Sequence, residues 1–312
     1  MNITKIELLW SRACPYRCAG CAMPIDSPTH LGTLEQWQRG VLNMRRLGSK
    51  FVAIYGAEPL TRPKYLAEVI TAIYESGQAA TIITALPRSP LLRKLFDTSP
   101  LDSLTVSWDG VYGDLDREKK SEDGQHILHK YSFVRDRSVV ATVSALNVQR
   151  IPDMARVASD QGWWFLFDLY HPGAGPLSKC NDEGGLVEAS ADDVRVMATE
   201  LVALKRGGGR VHASELYLQF LASHYNGRIR EAWHCVNRKA GWLTVNSDGC
   251  VLPCDDWQKS YPHGKIWDEL WAEDLERWKN EAVADCPGCL WNTHFDAVAI
   301  EENLIPLGSY VH

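Results

Sequence analysis

Three cysteines lie close together near the start of the chain, in the run Cys14-Pro-Tyr-Arg-Cys18-Ala-Gly-Cys21. Iron–sulfur clusters in proteins are bound by cysteine thiolates, normally four of them. Three thiolates at this spacing can hold three corners of a cubane cluster and leave the fourth iron open to a reactant. The apolar run from Ile6 to Trp10 predicts a strand just before them, so we expect the three cysteines on the loop where that strand ends.

Zinc is the alternative metal for clustered cysteines. A structural zinc site needs four closed ligands, and no nearby histidine completes this triplet. The chain has nine cysteines, an odd and clustered set that indicates metal ligands in a reducing compartment and not a disulfide framework. The triplet therefore predicts an iron–sulfur site.

The elements that must position this loop follow an alternating pattern. Apolar, β-branched runs predict six strands, at Ile6 to Trp10, Phe51 to Tyr55, Ala80 to Thr84, Leu104 to Trp108, Val139 to Val143 and Trp163 to Leu169. Helical spacing between them predicts helices at Leu34 to Leu47, Pro63 to Ser76, Leu91 to Phe96, Gln125 to Phe133 and Pro152 to Gln161. This order is typical of an α/β fold with a parallel sheet, whose sites lie at the carboxyl ends of the strands.

The cysteine triplet resembles that of the radical S-adenosylmethionine (radical SAM) superfamily, in which three and then two residues separate the cysteines on the loop after the first strand. The resemblance implies that residues 1–175 form a partial (βα)6 barrel. It implies that Cys14, Cys18 and Cys21 hold a 4Fe-4S cluster whose open iron binds S-adenosylmethionine.

Further residues carry the resemblance to the cofactor site. Gly56-Ala57-Glu58-Pro59 follows strand two and is similar to the family's Gly-Gly-Glu-Pro element, which meets the amino group of the methionine moiety. Ser107, Asp109 and Gly110 resemble the Ser-x-Asp-Gly used near the ribose and carboxylate, although Asp109-Gly110 is equally typical of a turn that ends a strand. Position alone adds two candidates, Thr84 after strand three and Asn147 after strand five.

The C-terminal cysteines resemble the SPASM module or its shortened twitch form. After a helical connection over residues 176–230, the module would occupy residues 231–312. It would hold a second 4Fe-4S cluster through Cys235, Cys254, Cys286 and Cys289, with Cys254 chosen by its spacing from Gly249. Cys250 is an alternative to Cys254 as a ligand, or a small buried hydrophobe. A four-cysteine zinc site is the other interpretation, because cysteine pairs on a hairpin and a loop also describe a zinc ribbon.

Composition limits the partners and the location. The net charge of −6 argues against a strong nucleic-acid footprint, which requires an excess of lysine and arginine. No apolar stretch approaches the ~20 residues that cross a bilayer, and the first residues, Met-Asn-Ile-Thr-Lys, lack the features of a secretory signal. We therefore expect a cytoplasmic protein with no membrane contact.

The resemblance implies an enzyme that cleaves S-adenosylmethionine to a 5′-deoxyadenosyl radical, with electrons from a reductant such as flavodoxin or ferredoxin. The first hypothesis is that the radical takes a hydrogen atom from an unactivated C–H bond of the substrate, leading to its oxidation. The second is a redox-neutral rearrangement of an amino-acid-like or nucleoside-linked substrate, and the third is a noncatalytic metal-binding scaffold.

The substrate is expected to be a small molecule or a modified group. No peptide-recognition segment precedes the first predicted strand, which makes a leader peptide a less expected substrate. Asp168, Tyr170 and His171 lie where the sixth strand ends and are candidates for substrate contact or proton transfer, with a structural role as the alternative.

Overall fold

The structure is a computed structural model. It describes residues 3–16, 21, 31–85, 89–101, 103–110, 128, 130–170, 187–227, 241–254, 260–284, 291, 295, 296 and 299.

Eight strands within the described residues form one sheet with the order β6-β5-β4-β3-β2-β1-β7-β8. All neighbouring strands are parallel except β8, which runs antiparallel to β7. The bounds are β1 Lys5–Ser11, β2 Phe51–Gly56, β3 Ala79–Thr84, β4 Ser103–Ser107, β5 Asp136–Val143, β6 Trp164–Leu169, β7 Trp242–Asn246 and β8 Val251–Leu252.

The six predicted strands are present as consecutive parallel neighbours, which confirms the α/β class and the parallel sheet. Among the described residues, β6 and β8 lie at opposite edges of the sheet, so the barrel is not closed. A partial barrel remains a prediction. The hairpin expected in a separate module lies in the same sheet, because β7 pairs with β1 over Lys5 to Leu9. The domain limits at residues 175 and 230 likewise remain predictions.

Helices α1 Leu34–Arg46, α2 Leu66–Glu75, α3 Pro90–Thr98 and α4 Ile151–Asp160 follow β1, β2, β3 and β5, close to the predicted bounds. Two further helices, α5 Ala191–Arg206 and α6 Glu215–His224, precede β7, and α7 Ala272–Ala282 follows β8. Of the predicted helix from Gln125 to Phe133, the structure describes Leu128 and Lys130, which are helical, and residues 131–133, which form a turn. No helix that the structure describes is both long and apolar enough to cross a membrane.

Helix α1 begins where its sequence predicts. The Thr33 hydroxyl accepts a hydrogen bond from the Gln36 backbone N–H, and the Gln36 side chain accepts one from the Thr33 N–H, which completes a capping box. Trp37, Val41 and Met44 recur at helical spacing and are buried against the sheet. The helix therefore packs against the sheet through one apolar stripe.

The two faces of the sheet differ in chemistry. In β1, Ile6, Leu8 and Trp10 belong to the hydrophobic core under the helices, whereas Lys5 and Glu7 point to the opposite face. The strand register carries this alternation across the sheet. We call the opposite face the polar face, after the polar residues that it carries: Glu7, Tyr55, Thr81, Ser103, Thr105, Ser107, Ser138, Thr142, Asp168, Thr244 and Asn246.

Both edges of the sheet are covered by irregular chain. Phe165 of β6 forms a parallel bridge with Val211, supported by backbone hydrogen bonds to Arg210 and from His212. At the other edge, the Tyr261 N–H donates to Val251 and the Ile266 N–H donates to Gly249. These contacts satisfy backbone groups that would otherwise be free to pair with another chain.

Aromatic packing joins the hairpin of β7 and β8 to the first βα unit. The ring centroids of Trp10 and Trp37 are 5.4 Å apart, and those of Trp37 and Trp267 are also 5.4 Å apart. Asn43 of α1 donates side-chain hydrogen bonds to the carbonyls of Ile266 (2.9 Å) and Asp268 (2.7 Å). The segment after β8, whose Ile266 N–H donates to Gly249 in the hairpin turn, is therefore fixed to the core by packing.

Gly249→Ala tests this packing, with Gly77→Ala as a matched control. Both glycines have positive φ (82° and 78°), so each replacement carries the left-handed cost of about 1 kcal/mol. A Cβ at Gly249 would also overlap the Trp267 ring, whereas a Cβ at Gly77 meets no atom within 4 Å. We expect Gly249→Ala to lower the free energy of unfolding by about 2 kcal/mol more than the control in anaerobic urea titrations. Equal losses would contradict the packing.

Candidate functional site

The cysteine loop leaves the sheet at the end of β1. The β1–β2 register shifts between Leu9 and Ser11, so that Ser11 pairs with Gly56. The buried Ser11 hydroxyl accepts a hydrogen bond from the Ala13 N–H at 3.0 Å, one residue before Cys14. The position of the first cysteine is thus set directly by the end of the strand.

Two of the three expected cluster ligands lie in the described part of the chain. Cys14 and Cys21 are both half-buried, and the Tyr16 backbone N–H donates to Cys14 Sγ at 3.5 Å. Backbone N–H groups aimed at cysteine sulfur stabilise thiolate and tune bound clusters. Cys18 lies outside the described residues. The chemistry of these two side chains is that of thiolate ligands, and their role in holding a cluster stays a prediction.

The Gly56–Pro59 loop contacts the cysteine loop through backbone atoms. The Ala57 N–H donates to the Ser11 carbonyl at 2.8 Å. Gly56 has φ of 130°, and a Cβ there would collide with that carbonyl oxygen. Only glycine allows this approach, which gives a physical reason for glycine at the position that the sequence assigned to the cofactor.

Glu58 is completely buried, and its carboxylate accepts hydrogen bonds from protein donors. Oε1 accepts from the Leu60 N–H (3.1 Å) and the Thr84 hydroxyl (2.8 Å), while Oε2 accepts from the Ala85 N–H (2.8 Å). The structure thus brings together two predicted site residues, Glu58 and Thr84, and uses them to hold the loop after β2 against the end of β3. A contact of either with the cofactor stays a prediction, as it does for Pro59, which is buried at the start of a 3₁₀ turn.

Asp109 and Asn147 also meet. Asp109 Oδ1 accepts from the Thr142 N–H at 2.9 Å, and the Asn147 amide donates to the carbonyls of Asp109 and Thr142, both at 2.9 Å. Asn147 Oδ1 accepts from the Ser144 N–H at 2.8 Å. Both side chains are buried and brace the ends of β4 and β5. Their proposed contact with the cofactor is untested, and so is that of Ser107, which lies half-buried on the polar face.

The candidates at the end of β6 lie on the same side of the sheet. Asp168 is half-buried on the polar face and pairs with Thr142 of β5. Tyr170 directly follows the strand, and its N–H donates to the Val143 carbonyl at 2.7 Å. His171 lies outside the described residues. These side chains remain candidates for contact with the substrate.

The sequence reasoning missed a charged group on the polar face. The Lys5 ammonium lies 2.8 Å from Glu7 Oε1 and 4.1 Å above the centroid of the Trp242 ring, and the Tyr55 hydroxyl donates to Glu7 Oε2 at 3.3 Å. Within the described residues, buried Thr244 Oγ1 and Asn246 Oδ1 have no hydrogen-bond partner. Polar residues at every second position, as in Ser103-Leu-Thr-Val-Ser107, are the signal that could have revealed this face.

The hairpin cysteines differ in their surroundings. Cys250 Sγ donates to Asp248 Oδ2 at 3.2 Å, and burial together with this carboxylate raises the pKa of the Cys250 thiol to about 11. Such a thiol is protonated at neutral pH, whereas metal ligands are thiolates. Cys254 is buried just beyond β8. The choice of Cys254 over Cys250 as the ligand stays a prediction, and Cys235, Cys286 and Cys289 lie outside the described residues.

The register places the two cysteine sites toward opposite ends of the sheet. Cys14 lies beyond Ser11, where β1 ends. Because β8 runs back along β7, Cys254 lies two residues past Leu252 in the direction of Trp242, which pairs with Lys5 at the start of β1. From Lys5 to Ser11, β1 advances by six residues, which is a length of about 20 Å at the rise of a strand. The polar face extends between the levels of Cys14 and Cys254.

Asp296 connects the chain after the Cys286–Cys289 pair to α6. Its carboxylate accepts hydrogen bonds from the Ser214 N–H (2.9 Å) and the Ser214 hydroxyl. The same hydroxyl accepts from the Tyr217 N–H and so caps α6. Burial raises the pKa of Asp296 to about 6, against the opposing effects of Ser214 and the Lys205 charge.

A family profile matches the part of the chain that contains most of the candidate site residues. The profile described as "Radical SAM superfamily" matches residues 8–137. This range begins within β1 and includes the cysteine triplet, the Gly56–Pro59 loop and Asp109. Residues 8–137 are therefore similar in sequence to a radical SAM domain.

Solved structures share the fold over most of the chain. SuiB of Streptococcus suis bound to S-adenosylmethionine has a TM-score of 0.66 and 14% identity, and the alignment covers 88% of this chain and 66% of SuiB. SuiB bound to its precursor peptide SuiA gives 0.66 and 13%, with coverage of 88% and 64%. Native anSMEcpe with bound AdoMet and the Cp18Cys peptide gives 0.61 and 16%, with coverage of 89% and 81%.

This chain spans about two thirds of the length of SuiB. At these identities the likeness shows the fold alone. The profile match over residues 8–137 and the shared fold make the chain similar to the radical SAM superfamily, whose members are enzymes.

Cys254→Ala and Cys250→Ala form a matched pair for the second metal site. If Cys254 is the ligand, Cys254→Ala should lower the iron content of anaerobically reconstituted protein by about four per chain, the content of one cubane cluster. Cys250→Ala should leave the iron content at the wild-type value, because the thiol that it removes is hydrogen-bonded to Asp248 and is not the expected ligand. Iron loss in Cys250→Ala alone would reverse the assignment.

Asp296→Asn should remove a pH dependence of stability. Because the native pKa is raised from 3.8 to about 6, the folded protein binds the proton more tightly, so the contribution of Asp296 to the free energy of unfolding falls as pH rises from about 4 to about 6. Asparagine can keep both Ser214 contacts without titrating. The difference in free energy of unfolding between the two proteins should change by up to about 3 kcal/mol across this window. Parallel curves in anaerobic urea titrations would contradict the shift.

Proposed function

We propose that this chain is a radical SAM enzyme that oxidises an unactivated C–H position of a polar substrate. The cluster site would be formed by Cys14, Cys18 and Cys21, and S-adenosylmethionine would bind between the cysteine loop and the Gly56–Pro59 loop. When bound, these cofactors supply a 5′-deoxyadenosyl radical that removes a hydrogen atom from the substrate.

The observation that carries the proposal is the direct contact between the two loops. Ala57 donates to the carbonyl of Ser11, three residues before Cys14, and Gly56 permits the close approach. A cofactor that binds iron through its methionine end must touch both loops at once. Glu58 and Thr84 support this role by fixing the second loop on the end of β3.

The polar face supports a substrate that carries hydrogen-bonding groups. Thr244 and Asn246 present buried oxygen atoms without partners among the described residues, beside the Glu7 carboxylate. Unpaired buried polar atoms are costly, so a bound polar group would stabilise them. The SuiB and anSMEcpe structures hold peptides; a small polar molecule and a peptide side chain both present such groups, and the substrate screen should include both.

The proposed direction of the reaction rests on the second cysteine site. After hydrogen-atom removal, the substrate radical would lose a proton and one electron. An auxiliary 4Fe-4S cluster bound by Cys235, Cys254, Cys286 and Cys289 would accept that electron and pass it to the oxidised form of an external electron-carrier protein, which would be reduced. The polar face lies between the levels of Cys14 and Cys254, which supports a substrate that can reach both sites.

The first experiment compares wild-type protein with the Cys14/Cys18/Cys21 triple alanine variant after anaerobic reconstitution. Iron and sulfide analysis with EPR should show about eight irons falling to about four, the contents of two cubane clusters and of one. Formation of 5′-deoxyadenosine under strong reductant should disappear in the variant. Persistent formation of 5′-deoxyadenosine in the variant would contradict the ligand assignment. A fall from four irons to none would mean that the C-terminal cysteines bind zinc or have a structural role.

Product analysis then separates oxidation from rearrangement. An oxidation consumes one S-adenosylmethionine per product, and the product lacks two hydrogen atoms relative to the substrate. A product isomeric with its substrate would establish the redox-neutral reaction instead. Wild-type protein with an intact cluster that cleaves no S-adenosylmethionine would contradict the proposal.

A further inference from the structure

Two hydroxyl groups join the cysteine loop to the Gly56–Pro59 loop. Thr61 Oγ1 lies 2.7 Å from the Glu58 carbonyl, 3.0 Å from the Ala13 carbonyl and 3.2 Å from Ser11 Oγ. Ser11 Oγ in turn accepts from the Ala13 N–H at 3.0 Å. The pair therefore contacts both backbone polar groups of the residue that precedes Cys14.

The hydrogen count shows that the two hydroxyls work together. A hydroxyl has one hydrogen to donate and two lone pairs. The Thr61 hydroxyl can donate its hydrogen to the carbonyl of Glu58 or of Ala13. The Ser11 hydroxyl can then donate to Thr61 Oγ1 or to the Ala13 carbonyl, which lies 3.4 Å away. Removing either hydroxyl leaves the other with one partner fewer in a site where Ser11 is completely buried.

We propose that the Thr61 hydroxyl, acting with Ser11, is a positioning group that sets the distance between the cluster loop and the loop that holds the methionine end of the cofactor. The proposal rests on the proposed function, because the two loops must hold one cofactor molecule. Thr61 is a positioning residue: it contacts Ala13 and Glu58, and it acts through the loops that carry Cys14 and Gly56.

The size of the effect follows from geometry. A displacement of about 1 Å between reacting groups can cost about 100-fold in rate even when both groups stay bound. Loss of the Thr61 hydroxyl removes its contact with the Ala13 carbonyl, while the Ala57–Ser11 backbone contact and the contacts of the Glu58 carboxylate remain. We therefore expect both loops to stay folded but to lose their fixed separation.

The test uses Thr61→Val, which removes the hydroxyl and keeps the side-chain shape, and Thr61→Ser, which keeps the hydroxyl. Thr71→Val is the matched control, because the Thr71 hydroxyl makes an ordinary bond to the Ala67 carbonyl within α2 (2.9 Å). All proteins are reconstituted anaerobically, and iron content, the EPR change on addition of S-adenosylmethionine, its dissociation constant and the rate of 5′-deoxyadenosine formation are measured.

We expect Thr61→Val to keep the wild-type iron content, to lose most of the EPR change on cofactor addition, and to form 5′-deoxyadenosine about 10- to 100-fold more slowly. For Thr61→Ser and Thr71→Val, the rate of 5′-deoxyadenosine formation should differ from the wild-type rate by no more than a factor of a few. Wild-type behaviour of Thr61→Val, or an equal loss in Thr61→Val and Thr61→Ser, would overturn the proposal.

Ser11→Ala covers the case in which Thr61→Val fails to fold. This variant removes the link to β1 and leaves the Thr61–Glu58 bond of the turn in place. It must show the same loss of the EPR change and of rate, and normal behaviour would overturn the proposal. If wild-type protein and Thr71→Val with intact clusters cleave no S-adenosylmethionine, the proposed function fails. If they cleave it and either Thr61→Val or Ser11→Ala matches them, only the positioning role fails.

Discussion

The parallel pairing of β1 with β2 on one side and with β7 on the other is the constraint on which the rest of the structure depends. The pairing with β2 brings Ser11 against Gly56 and so joins the cysteine loop to the Gly56–Pro59 loop. The pairing with β7 brings the cysteine hairpin into the same sheet. One central strand therefore sets the positions of the cysteine loop and of the hairpin that carries Cys250.

Buried hydrogen bonds then hold the carboxyl ends of the strands together. Glu58 joins the end of β2 to the end of β3, and Asp109 with Asn147 joins β4 to β5. These acceptors satisfy backbone N–H groups where the sheet ladder stops, which would otherwise be buried without partners. The residues that form the candidate site are thus also the residues that keep its loops in place.

The two faces of the sheet differ in what they contribute. The face under the helices contributes to stability, and the polar face carries hydrogen-bonding and charged side chains. Apolar alternate residues such as Leu8, Ile54 and Val139 are buried under the helices. The polar residues between them gain little from that core and instead line the opposite face, where Glu7, Tyr55 and Lys5 form one network. A period of two along each strand is enough to separate the two environments.

The sequence by itself determined the α/β class, the six consecutive parallel strands and the cysteine loop after β1, because these features are local: a strand is encoded by a short apolar run, and a ligand triplet by its spacing. It also brought attention to Glu58 and Asp109. Only the tertiary structure decided which distant residues meet. Glu58 accepts a hydrogen bond from Thr84, and Thr61 contacts Ala13. Strand β7 pairs with β1, and the Cys250 thiol donates a hydrogen bond to Asp248. These outcomes depend on register and burial between segments up to 237 residues apart, as in the contact of Thr4 with Gly241, and no local pattern encodes them.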